Sequence, residues 1–116
     1  MNDKLLVMVE REVLGWGGVS RDPDRRHVAL YRFGRRQIGH VHRDGVADLT
    51  FPRAVHDELV ASGKAEPHRG GFPAVVSYRI RTPADVPGAI ELFRANYDRA
   101  KESARQRGTH PEEKEW

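Results

Sequence analysis

The chain has no cysteine. That excludes disulfides, zinc–thiolate sites and thiol nucleophiles, and it leaves imidazole, carboxylate and hydroxyl groups to carry any chemistry. It also lacks an apolar run long enough to span a bilayer. The opening stretch MNDKLLVMVEREVLG breaks its apolar segment with acidic residues, and no small-residue cleavage site follows it. That is not the pattern of a secretory signal, so the expectation is a cytoplasmic protein that does not enter a membrane. Internal repeats and low-complexity tracts are missing too. No serine lies in a Gly-x-Ser-x-Gly turn, and the glycine-rich GWGG is followed by no Gly-Lys-Ser or Gly-Lys-Thr. Neither a nucleophile elbow nor a phosphate-cradling loop is encoded.

What is present suits one small domain with a thin core and a charged surface. The 116 residues are 38% apolar and 32% charged, too few for two cores. The expected organisation is a single domain over 1–108 and a disordered charged tail, THPEEKEW, over 109–116. Net charge is +3 and the pI about 9.6. A basic pI raises the case for nucleic acid, but binding needs clustered charge. Arg25 and Arg26 precede the first strand of the central hairpins, Arg35 and Arg36 sit at one turn and Arg43 at the next. Consecutive hairpin turns lie at opposite ends of a sheet, so these cations do not make one patch, and a nucleic-acid partner is the least favoured reading.

Periodicity places the elements. NDKLLVMVEREVLG reads as a helix capped by Asn2 or Asp3, with Leu5, Leu6, Val9 and Val13 on one face and Gly15 as its stop. GWGGVSRDPDRR reads as a loop, too rich in Gly, Pro and Asp for either regular state. HVALYRF, QIGHVH and VADLTF read as three strands joined by Gly-Arg-Arg and Asp-Gly turns. PRAVHDELVASG is a helix opened by Pro52, with Val55 and Leu59 inward. AEPHR is a candidate short strand, and VVSYRIR a strand with Val76, Tyr78 and Ile80 on one face. The final helix carries Val86, Ile90, Phe93, Tyr97, Ala100 and Ala104 at spacings of three and four. Asp85 as its cap puts Pro87 in the first turn, where no donor is needed, and Gly108 closes it. The order α-β-β-β-α-(β)-β-α predicts an α+β fold: a four- or five-stranded antiparallel sheet with helices on one face.

The blocks GRRQIGHVHRDGVADLTFP and ELVASGKAEPH, together with the Asp85–Tyr97 helix, resemble the small bacterial and fungal luciferase domain family. The matching features are Gly34 through His42, Asp48 with Phe51-Pro52, Leu59-Val60 through His68, and Asp85 through Tyr97. The likeness runs from about Trp16 to Ala100. Gln37 stands where that family commonly has an acid, and the aromatic before the late strand is represented only by the nearby Phe72. The resemblance implies a fold and a site but brings no reaction with it. It does not imply the far longer flavin-dependent barrel enzymes that share the word luciferase.

The site candidates centre on His40 and His42. Residues at i and i+2 of a strand share a face, so both imidazoles, with Ile38, project together. What they meet depends on the hairpin. A two-residue Asp44-Gly45 turn pairs His40 with Leu49. A three-residue Arg43-Asp44-Gly45 turn with a left-handed Gly45 pairs it with Asp48. The second register makes a His–Asp pair. Three uses compete: histidines merely hydrogen-bonded to neighbours, a pocket for a small polar or anionic ligand, or a metal held by His40 and His42 with His68 as a third nitrogen. The leading expectation is a ligand-binding or accessory module lined by His40, His42, Asp48 and His68. Trp16 either plugs the core or lids the pocket. The alternatives are a metal-dependent or His/Asp acid–base enzyme using the same residues, and a nucleic-acid-binding module.

Overall fold

In a computed structural model, residues 3–24 and 27–108 are described. The Asn2 cap, the Arg25-Arg26 pair and the tail over 109–116 lie outside them. The described elements are α1 (Asp3–Leu14), β1 (Val19–Arg21), β2 (Val28–Phe33), β3 (Arg36–His42), β4 (Val46–Thr50), α2 (Arg53–Ala61), β5 (Glu66–Pro67), β6 (Val75–Arg79), a single 3-10 turn (Pro83–Asp85) and α3 (Val86–Arg107). The fold is α+β, as the element order predicts. None of the described helices is long and apolar enough to cross a membrane.

The sheet has six antiparallel strands in the order β1-β2-β3-β4-β6-β5, more than the four or five expected. The extra strand comes from the segment read as a loop. Val19–Arg21 pairs with Tyr31–Phe33 at the sheet edge. An edge strand needs only main-chain bonds on one side, so composition does not forbid it.

The core lies between the sheet and the helices. Leu5, Val9 and Val13 of α1 and Ala89, Leu92, Phe93, Tyr97, Ala100 and Ala104 of α3 pack on Tyr31, Phe33, Val41, Ala47, Leu49 and Val76 from the strands. Pro52 precedes α2 in extended geometry rather than forming its first turn. In α2, Val55 and Leu59 are only half buried, and His56 is the buried residue. Of the two expected caps of the last helix, Gly108 is in place, while Asp85 precedes α3 with helical φ/ψ and makes no side-chain cap bond to it, serving a capping box with Thr82 on the 3-10 turn instead. The Asp85 carboxylate accepts from the backbone N–H groups of Arg81 (2.8 Å) and Thr82 (3.0 Å) across the 3-10 turn. Gly108 ends α3 with a left-handed φ of 71°.

One irregularity governs the site. Tyr31 pairs with Gly39 but Arg32 pairs with Gln37, so Ile38 is an extra residue in β3. This bulge breaks the alternation. Ile38 turns into the core instead of standing beside His40, which corrects the sequence reading. The buried Asn96 of α3 holds the bulge: its amide donates to the carbonyls of Ile38 (2.8 Å) and Thr50 (3.0 Å).

Candidate functional site

The hairpin between β3 and β4 adopts the three-residue turn. His40 pairs with Asp48 and Val41 with Ala47. Gly45 takes φ 92°, a conformation that glycine reaches without steric cost. Its N–H donates to the His42 carbonyl at 2.9 Å, and the Asp44 carboxylate accepts from the Val46 N–H at 3.1 Å. The turn thus sets the register that faces the histidines with a carboxylate.

Asp48 is the hub. It is nearly buried, and its Oδ1 accepts a 2.6 Å hydrogen bond from Ser77 on β6. Its Oδ2 is approached by three imidazole Nε2 atoms: His42 at 2.9 Å, His40 at 3.4 Å and His68 at 3.6 Å. His68 follows β5, which pairs with β6, and β6 pairs with β4. Sheet order therefore brings residues 40, 42, 48, 68 and 77 to one place on the face opposite the helices. The ligand atoms of His40, His42 and Asp48 lie within 4.8 Å of one another. A tetrahedral ion with bonds of about 2.0–2.1 Å spaces its ligands by about 3.4 Å. Little movement would let the three share one ion.

A recess of about 310 Å³ opens over His42, Asp48, His68 and Ser77, lined also by Asp44, Glu66, Arg69 and Arg79 among others; His40, expected in the pocket, is not part of its lining. Trp16 is not part of that lining. Its ring packs 5.2 Å from the ring of Tyr97, its indole N–H donates to Glu12, and the Arg94 guanidinium stacks over it. Of its two expected roles, the structure places it as a plug between α1 and α3. Ser77 is the member that sequence reasoning passed over, as one hydroxyl among several. The signal was available: inward Val76 and Ile80 leave Ser77 on the outward face with the histidines.

Gln37 is neither ligand nor base. Its side-chain amide lies 3.0 Å from His40 Nδ1, behind the ring. Rotating that amide presents either its nitrogen or its oxygen, so His40 can keep its proton on either ring nitrogen. Burial pushes the His40 imidazole below the ordinary histidine pKa, Asp48 opposes this, and His42 adds to it. The unfolded chain then binds more protons than the folded one between the depressed value and the ordinary one. Stability is therefore fully present above the ordinary histidine pKa and is lost as pH falls through it toward the folded value. Thermal denaturation of the metal-free protein between about pH 7.5 and about pH 5 is expected to show falling stability, with a shallower slope in His40→Gln. An equal slope in the variant would rule His40 out as the cause.

A family model described as Luciferase domain matches residues 35–96. The match covers more than half of the chain and contains His40, His42, Asp48, His68 and Ser77, while Trp16 lies outside it. The chain belongs to that family. No curated protein and no solved structure matches the chain.

Proposed function

We propose that this member of the luciferase domain family binds a divalent late first-row metal ion through His40, His42 and Asp48, and uses the ion to hold a small polar or anionic ligand in the recess. The observation that carries the reading is the convergence of imidazole Nε2 atoms on one oxygen of a nearly buried carboxylate. Two imidazoles and a carboxylate are the donor set that zinc and its neighbours in the first transition row accept, and three protein ligands leave a position open.

Charge supports this reading over a metal-free anion pocket. With neutral imidazoles the cluster carries the single negative charge of Asp48 and repels an anion. A divalent ion reverses the sign of the cluster; along the recess Arg69 adds positive charge, while Arg79 is ion-paired with Glu66 at 3.2 Å and Asp44 also lines the recess. The chemistry such an ion supplies is polarisation of a bound oxygen and activation of water near neutral pH, which makes hydrolysis the reaction class the site would support.

Calorimetric titration of tag-free protein with zinc tests this. One ion per chain is expected, with a Kd below about 1 μM, and His42→Ala, which removes a ligand, should weaken it by at least about 100-fold. No saturable, His42-dependent uptake would sink the reading.

A further inference from the structure

His68 stands apart from the other two histidines in how its ring is held. The backbone N–H of Gly70 donates to His68 Nδ1 at 2.9 Å. A backbone amide cannot turn to offer an acceptor, so Nδ1 must be the unprotonated nitrogen, and a neutral His68 carries its proton on Nε2. A ring protonated at Nε2 has no lone pair there for an ion. His40 differs because the Gln37 amide behind it can rotate.

The segment after β5 is shaped around this ring. A Cβ at Gly70 would stand 2.7 Å from His68 Cε1 and 3.0 Å from Nδ1, so any larger residue displaces the imidazole. Phe72 packs edge-on against it with ring centroids 5.4 Å apart. The ring is thereby aimed with Nε2 towards Asp48, yet at 3.6 Å it stops outside hydrogen-bond range of that carboxylate.

Resting on the metal reading above, we infer that His68 is a hydrogen-bond donor to an oxyanion held on the ion, and not a ligand of the ion itself. The chemistry it recognises is an anionic oxygen, of a carboxylate or a phosphate group. The ion binds one oxygen and the His68 Nε2–H donates to the ligand, with Arg69 and Arg79 on the same recess. On this inference His68 supplies a donor instead of the third metal nitrogen that the sequence suggested.

Two measurements test it. Long-range proton–nitrogen NMR of the metal-free protein reports the tautomer directly: Nε2–H at His68 is expected, and Nδ1–H would overturn the inference. Cobalt-loaded protein is then titrated with acetate and with inorganic phosphate while the cobalt d–d bands are followed. His68→Ala should leave the bands and the cobalt affinity within about threefold of the parent. It should weaken binding of at least one anion by about tenfold or more, the contribution of one charge-assisted hydrogen bond. His68→Gln, which keeps a donor, should recover part of that loss. Altered bands, or a hundredfold loss of cobalt, would make His68 a ligand and overturn the inference. Unchanged anion binding would overturn it as well. Failure of the parent protein to take up cobalt would instead bring down the metal reading, and this inference with it.

Discussion

Gly39→Ala is expected to cost the domain about 3 kcal/mol, the upper part of the range for overpacking a dense core. The added methyl carbon would lie 2.6 Å from Phe93 Cε1 and 2.9 Å from Leu49 Cγ. Phe93 is fully buried and Leu49 is 1% exposed, so neither has room to retreat. At about 4 °C per kcal/mol for a domain of this size, the melting temperature should fall by about 12 °C. Thermal unfolding followed by circular dichroism measures it. A loss under about 1 kcal/mol would mean that α3 does not approach β3 this closely. The cost matters for the site because Gly39 sits between the bulged Ile38 and His40. The close passage of Phe93 over a bare backbone lets Ile38 and Val41 point inward while His40 and His42 point out.

Asp48→Asn should cut zinc affinity by at least about 100-fold. Partners that merely orient a ligand are worth about 10- to 100-fold, and Asp48 is proposed as a ligand itself. The substitution keeps the shape and keeps an oxygen for Ser77, so the metal-free fold is expected to survive, as circular dichroism would confirm. It removes the negative charge on which three imidazoles converge, and with it the anionic donor for the ion. In the parent protein, zinc at about 100 times its Kd should add about 2.7 kcal/mol of stability, and in Asp48→Asn the same zinc concentration should add no more than about 0.4 kcal/mol. A variant that still binds zinc within about tenfold of the parent would remove Asp48 from the coordination set.

Much of this arrangement was legible in the sequence, for identifiable reasons. Strand parity put His40 and His42 on one face. The Asp44-Gly45 turn reduced the pairing to two registers, and in one of them Asp48 faced His40. Choosing between them needed the geometry of Gly45, which local sequence does not report. Ile38 was misplaced because a bulge is a tertiary decision: it forms where Asn96, far along the chain, supplies a donor to the Ile38 carbonyl. Ser77 was one hydroxyl among several because its partner lies 29 residues away. The strand Val19–Arg21 was invisible for a similar reason. Its Gly- and Asp-rich surroundings argue for a loop, and only the open edge of β2 makes it a strand. His68 was correctly brought to the cluster, but its tautomer depends on a bond from Gly70 that spacing cannot encode.

The sheet ends on very short borders: three residues in β1 and, at the rim nearest the recess, two in β5, one of them Pro67. A proline offers no N–H, and two residues present almost no row of open main-chain groups. Another chain therefore finds little template there for extending the sheet, whether by aggregation or by strand exchange. The rim beside His68 stays open to small molecules diffusing in, and crowding by copies of the same protein should not close it.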